Sequence, residues 1–213
     1  MGRVRDLGPR IELVALDPHF HDISIALHRA TSDGRPAYQI NSYSAQPGAG
    51  ERLQRLATLM VDVGGLTARA SDPLTLAFAC GTDHELAARR VFIEACKIDP
   101  TGAGEARPLE VYDKKVDRTI KVTALGGGAY HVFADEPDNR IAKRVATVAA
   151  GLVKLAGMEA FDDTVDQVRF TCGHDHHMVV ALLLVRALNA RGLLREMELT
   201  AARGMLSAPS QQK

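Results

Sequence analysis

The hydrophobic period changes several times along the chain, and each change marks an element. Ile11, Leu13 and Ala15 alternate with Glu12, Val14 and Leu16, which predicts a mostly buried strand. Ile23, Ile25 and Leu27 alternate with Ser24, Ala26 and His28, a half-buried strand. Asp33-Gly34 tolerates positive φ, so Thr31 to Arg35 reads as a turn and Ala37 to Tyr43 as the returning strand. Gln46 to Gly50 breaks the pattern. Leu53, Leu56, Met60 and Val63 then recur at helical spacing as far as Gly64-Gly65, a natural helix stop. Leu74 to Cys80 is a short apolar strand, and Gly81-Thr82-Asp83 leads into a helix over His84 to Ile98.

After a Pro- and Gly-containing connector from Asp99 to Pro108, the order repeats. Leu109 to Tyr112 is a strand. Ile120 to Leu125 and Ala129 to Ala134 form a hairpin around Gly126-Gly127-Gly128. That triplet does not follow a strand-to-helix pattern, so a hairpin turn is preferred to a phosphate loop. Asp138 is placed to cap a helix carrying Ile141, Val145, Val148, Leu152 and Leu155. Gln167 to Cys172 is a strand, and Gly173-His174-Asp175 opens an apolar helix from His176 to Ala190.

Both halves read β-β-β-α-β-α. Phe78-Ala79-Cys80-Gly81-Thr82-Asp83-His84 matches Phe170-Thr171-Cys172-Gly173-His174-Asp175-His176 at five of seven positions, with an offset of 92. Arg55 to Thr58 matches Arg144 to Thr147 at an offset of 89. The expected class is α+β, two tandem βββαβα repeats, each a sheet covered by two helices, packed pseudo-symmetrically. The expected limits are a tail over 1–9, a first repeat over 10–100, a second over 108–196 and a tail over 197–213. Val179 to Val185 is apolar on every side, so that helix needs cover on more than one face, from the other half or from another subunit. A homo-oligomer is expected.

Composition narrows the partners. Lys plus Arg number 26 and Asp plus Glu also 26, a zero balance that argues against a broad nucleic-acid or anionic-membrane surface. The longest apolar run, Met178 to Val185, falls far short of the ~20 residues a spanning helix needs. Met1 to Pro9 lacks the apolar core of a signal peptide, and three cysteines do not make a disulfide framework. A cytoplasmic location is expected. Arg89-Arg90 and Arg140, Lys143 and Arg144 read as solvated helix faces.

The chemistry gathers at the repeated junctions, where His84, His174, His176 and His177 stand beside Glu85 and Asp175. Neutral imidazoles and carboxylates suit Mn, Fe, Ni or Zn, and a helix N-terminus disfavours imidazolium. Against this, Asp83 and Asp175 suit the role of N-caps, and Cys80 and Cys172 that of small buried residues at strand ends. Adjacent helical side chains diverge by about 100°, so His176 and His177 are not expected to chelate one ion together. A thiol nucleophile at Cys80 or Cys172 is a third reading, with no base assigned to it.

The element order, with Asp175-His176-His177 opening the last helix, resembles imidazoleglycerol-phosphate dehydratase. The resemblance runs from about Arg10 to Lys213. It implies two ribosomal-protein-S5-domain-2-like repeats, with metal sites at subunit interfaces built on His-His-x-x-Glu motifs. His176-His177 match that motif, while its glutamate position holds Val180. In the first repeat His84-Glu85 stand at the pair and Ala88 at the glutamate. The family's Asp-His-Met motif has no match near Glu51 to Leu56. Its terminal Pro-Ser-Thr-Lys-Gly is met by Pro209-Ser210, then Gln211-Gln212-Lys213.

The departures imply a diverged relative rather than an intact dehydratase, since a site without its carboxylates loses charge neutralisation. The expectation is a metal-dependent lyase-like enzyme acting on a small polar molecule, with phosphate among the groups it could carry. His84, His174, His176 and His177 would ligate Mn, Fe or Zn. Glu85 or Asp175 would act as a further ligand or general base, and Ser210 and Lys213 would hold an anionic group. No nucleotide cofactor is indicated. The competing expectation is a non-catalytic oligomer binding a ligand or partner on the same scaffold.

Overall fold

The computed structural model describes residues 4–6, 12–16, 24–42, 47–97, 109–161 and 165–189. The first half contains β1 (Val4–Asp6), β2 (Glu12–Leu16), β3 (Ser24–Ser32), β4 (Arg35–Ser42), α1 (Ala49–Gly64), β5 (Leu66–Arg69), β6 (Asp72–Phe78) and α2 (Glu85–Ala95). The second contains β7 (Glu110–Asp113), β8 (Arg118–Gly126), β9 (Ala129–Ala134), α3 (Asn139–Ala156), β10 (Glu159–Ala160), β11 (Gln167–Arg169) and α4 (His177–Asn189). The class is α+β, with two antiparallel sheets and four helices among the described residues.

The sheets run β1-β2-β3-β4-β6-β5 and β7-β8-β9-β11-β10. Apart from β1 the two orders are the same, element for element. The expected strands and helices all occur, with ends shifted by a few residues. Unforeseen are β1, inside the expected tail over 1–9, and β5 and β10, each pairing antiparallel with the strand that follows it. They are too short, at three, four and two residues, for a period-2 signal to emerge.

Local chemistry explains the turns. Asp33 and Gly34 both take positive φ, 52° and 73°, between the paired Ser32 and Arg35. This is a two-residue turn whose twist matches its strands. Asp138 caps α3, its Oδ1 accepting the Ile141 N–H at 2.8 Å.

Gly65 and Gly157 close α1 and α3 in the left-handed region. These glycines are 92 residues apart. The structure therefore equates α1 and α3 at 92, not at the 89 suggested by Arg55 to Thr58. At the correct offset Arg144 aligns with Arg52, a residue only 3% exposed. Arg144 is itself no solvated surface residue. Its guanidinium pairs with the buried Asp113 of β7 and donates to the Leu188 carbonyl at the end of α4.

Each helix pair packs on its own sheet and against the other pair, with α1 touching α4 and α2 touching both α3 and α4. One hydrophobic cluster runs through both halves, from Leu27 and Tyr38 to Tyr130, Phe170 and Leu183. That contact explains α4. Its apolar residues Val179 to Leu184 are all buried, covered within the same chain. The caps are covered crosswise as well: Leu86 of α2 lies against Gly157, and Met178 of α4 against Gly65. No helix among the described residues is long and apolar enough to cross a membrane.

Candidate metal centre

The two junction loops leave β6 and β11 and meet between the halves. The two strands end at Phe78 and Arg169, so Cys80 and Cys172 sit on the loops beyond them rather than in strands. In each loop a glycine N–H closes a turn onto a phenylalanine carbonyl, Gly81 onto Phe78 at 3.0 Å and Gly173 onto Phe170 at 3.2 Å. Gly81 and Gly173 share φ +72°, a conformation side-chain-bearing residues rarely adopt. The repeated turn presents each cysteine beside the histidine four residues on. Cys80 Sγ lies 3.3 Å from His84 Nε2, and Cys172 Sγ lies 3.3 Å from His176 Nε2.

The two pairs converge. The ligand atoms of Cys80, His84, Cys172 and His176 all lie within 4.8 Å of one another, and the two imidazole centroids are 4.7 Å apart. A tetrahedral ion with Zn–S of ~2.3 Å and Zn–N of ~2.0–2.1 Å would need ligand–ligand edges of about 3.3–3.8 Å. Both intrapair distances meet that range. The cluster could hold a metal ion.

The surroundings favour ligation. Phe78 and Phe170 meet both imidazoles edge to face, at centroid distances of 4.7–5.3 Å. Burial in this aromatic box lowers the His84 pKa, against the pull of Asp83. Burial also pushes His176 down to about 4, helped by the neighbouring His84 and His174. Both rings are therefore neutral near pH 7, the form that ligates a metal. Each sulfur also receives a backbone amide, from Thr82 at 3.5 Å and from His174 at 3.4 Å. Such donors stabilise thiolate and orient it. Burial raises the Cys172 thiol pKa, so without a cation this sulfur keeps its proton. A coordinated cation would remove it.

An outer layer holds the loops, and it is where the halves differ. Tyr38 of β4 donates to Asp83 at 2.6 Å, and Arg29 pairs with the same carboxylate. Tyr130 of β9 instead accepts the His176 N–H at 2.6 Å. Asp175 accepts the Gly128 N–H at 3.0 Å. Neither aspartate is the N-cap expected of it. The N-cap of α2 is His84, without a side-chain cap bond. Burial raises the pKa of both tyrosines, so both stay protonated.

Of the six junction residues singled out from sequence, two enter the cluster, His84 and His176. His174 is exposed and its Nδ1 lies 2.9 Å from the Cys172 carbonyl oxygen. His177 is exposed, with Nδ1 3.4 Å from the Tyr130 hydroxyl. Glu85 pairs with Arg89 one turn along α2, at 3.4 Å. Asp175 is exposed and turned to the β8–β9 hairpin. Ser210 and Lys213 lie outside the described residues.

Sequence reasoning missed Cys80 and Cys172 as ligands. The signal was present as Cys-x3-His twice, at one offset. Missed too was the outer layer, visible as Ala37-Tyr38 and Ala129-Tyr130 at the same offset of 92.

The imidazole environment sets a pH dependence for the metal-free protein. His176 titrates near 4 when folded and near the usual 6.5 when unfolded. Between those values the unfolded chain binds more protons, so stability falls as pH falls through that window. Depression of the His84 pKa adds in the same direction. In chelator-treated protein the urea midpoint is expected to drop from pH 7 to pH 5, and His176→Asn should flatten part of that drop. An equal drop in the variant would show that the slope arises elsewhere.

No protein-family model, curated protein or solved structure matches this chain.

Proposed function

We propose that the protein is a duplicated scaffold whose halves are stapled by one zinc-class ion held by Cys80, His84, Cys172 and His176, and that it binds a ligand or partner rather than catalysing a reaction. The carrying observation is the convergence of four donors, two from each half, with the same Cys-x3-His spacing. Four protein ligands fill a tetrahedral shell, the arrangement of structural rather than catalytic sites. Two soft thiolates with two imidazoles suit zinc, or iron in a thiolate site, better than manganese, which prefers oxygen. A chain of this length needs no metal to build a core. The ion's contribution is to fix the two loops against each other.

The matched strand orders and the shared offset of 92 support duplication, with β5 and β10 making each repeat βββαββα rather than the expected βββαβα and β1 an added edge strand. The S5-domain-2-like assignment and homo-oligomerisation belong to the same proposal and rest on the resemblance alone. With α4 covered inside the chain, its apolar surface no longer argues for a second subunit.

The test is elemental analysis with X-ray absorption on untagged protein. One zinc per chain with two sulfur and two nitrogen neighbours is expected. A first shell of oxygen and nitrogen without sulfur would refute the assignment.

A second reading, the metal-dependent lyase-like enzyme, is favoured by one observation. His174, Asp175 and His177 are exposed on the loop and helix start that supply Cys172 and His176. Asp175 or Glu85 would then serve as base, Ser210 and Lys213 would hold an anion, and one ligand would have to give way to substrate. Dehydration of a phosphorylated polyol, lost in His177→Ala with zinc content intact, would favour this reading over the first.

A further inference from the structure

The described residues hold three cysteines, and they differ in surroundings. Cys96 follows α2 and is buried, at 5% exposure. Cys80 and Cys172 are only half-buried. Their sulfurs belong to one four-atom group no wider than 4.8 Å. They come from two different loops, 92 residues apart in sequence. A bond between them would join the same two loops that the ion joins. Each loop carries a glycine next to its cysteine, where the chain can adjust to bring the sulfurs to the ~2.05 Å of a disulfide.

From this we propose that Cys80 and Cys172 form an oxidisable pair, in which hydrogen peroxide converts the metal staple into a Cys80–Cys172 disulfide and expels the ion. This regulatory reading rests on the metal site proposed above. The chemistry balances with peroxide as the oxidant. One thiolate attacks a peroxide oxygen, the O–O bond breaks, and the leaving hydroxide takes a proton to become water. The sulfenic acid so formed is attacked by the second thiolate. The S–S bond forms as the S–O bond breaks, and the departing hydroxide takes a second proton. Two thiolates, one peroxide and two protons give one disulfide and two waters.

Loss of two anionic ligands leaves the ion with two neutral imidazoles, too few to retain it. The imidazoles can stay neutral in their aromatic box, so departure of the ion strands no buried charge. The halves remain tied, now covalently. Cys96 lies outside the four-atom group and is shielded from solvent, so it is spared.

The experiment uses full-length protein loaded with one equivalent of zinc and treated stepwise with hydrogen peroxide. Released zinc is read with a chromogenic chelator, and thiols by alkylation followed by non-reducing peptide mapping. The expected result is release of about one zinc per chain, in step with a Cys80–Cys172 crosslinked peptide. Cys96 stays alkylatable, and dithiothreitol with added zinc restores the starting state. Cys96→Ala should behave as the parent. Zinc release with sulfinic acids in place of the disulfide would overturn the proposal, as would crosslinks between chains or prior loss of Cys96. Zinc that stays bound while peroxide oxidises a free-thiol control overturns the switch and leaves the metal site standing. A chain that takes up no zinc before peroxide is added fails at the metal site itself, and the coupled release falls with it.

Discussion

Serine at position 172 is expected to abolish zinc uptake at the proposed four-ligand site, and with it most of the stability that added zinc would confer. A serine hydroxyl keeps its proton near neutral pH and is a poor ligand where a thiolate is a strong one. Structural zinc sites are worth on the order of 10–16 kcal/mol, spread over four ligands. Losing one ligand should therefore weaken binding by about 3–4 kcal/mol, roughly 100- to 1,000-fold.

Stability follows by linkage. An ion present at about 1,000 times its dissociation constant stabilises the folded chain by about 4 kcal/mol, and a chelator removes that contribution. Denaturant unfolding of the parent with and without chelator should show the difference, and Cys172→Ser should show almost none. Cys80→Ser should match it closely, because each half contributes the same cysteine–histidine pair at the same 3.3 Å spacing. The double variant should be little worse than either single one, since both remove the same ion. Equal chelator effects in parent and variants would mean that the four donors do not hold the metal.

The second large effect is expected at Gly128, which links the β8–β9 hairpin to the Cys172 loop. Its φ is +81°. A Cβ there would sit 2.8 Å from the Phe170 carbonyl oxygen and 3.2 Å from that of His174. Both are backbone atoms, which cannot swing aside as a side chain can. The Gly128 carbonyl also accepts the Phe170 N–H at 2.9 Å, and its N–H reaches Asp175 at 3.0 Å. Gly128→Ala combines left-handed strain of about 1–3 kcal/mol with overpacking of similar size, so a loss of about 2–5 kcal/mol is expected. Because the loop it pushes carries Cys172, zinc affinity should fall too.

The neighbouring glycine separates strain from clash. Gly127 has φ +63° and nothing within 4 Å of its would-be Cβ. Asparagine tolerates that conformation, so Gly127→Asn should cost less than about 1 kcal/mol. Urea midpoints for the two variants make the comparison. Similar losses would mean that the close approach to Phe170 is not what makes position 128 sensitive.

Sequence alone was enough for the order of the longer elements, while the short β1, β5 and β10 escaped it. Period 2 and period 3.6 mark strands and helices wherever one face of an element is buried, as in α1, α3, β8 and β9. The hairpin at Asp33-Gly34 and the helix stop at Gly65 follow from residues that accept positive φ. The cap at Asp138 follows from a short acceptor side chain placed beside the free amides of the first turn. The repeated Cys-Gly-x-Asp-His also pointed to the right place in both halves, because a shared spacing survives in the order of residues.

What sequence could not yield is which of those residues face one another. Histidines 84 and 176 lie 92 positions apart, and only the packing of α2 and α4 sets their rings 4.7 Å apart. The cysteines read as inert strand ends until the strands stop short and the loops carry both sulfurs inward. Asp83 and Asp175 have the spacing of N-caps, yet tertiary partners on β3, β4 and the β8–β9 hairpin claim their carboxylates first. Arg144 looks like a solvated helix residue until β7 brings Asp113 to it. The physical reason is common to all four. Local propensity acts over one turn or one hairpin and is written in neighbouring residues. Ligation, ion pairing and long-range hydrogen bonds depend on distances that exist only once the two halves share one core.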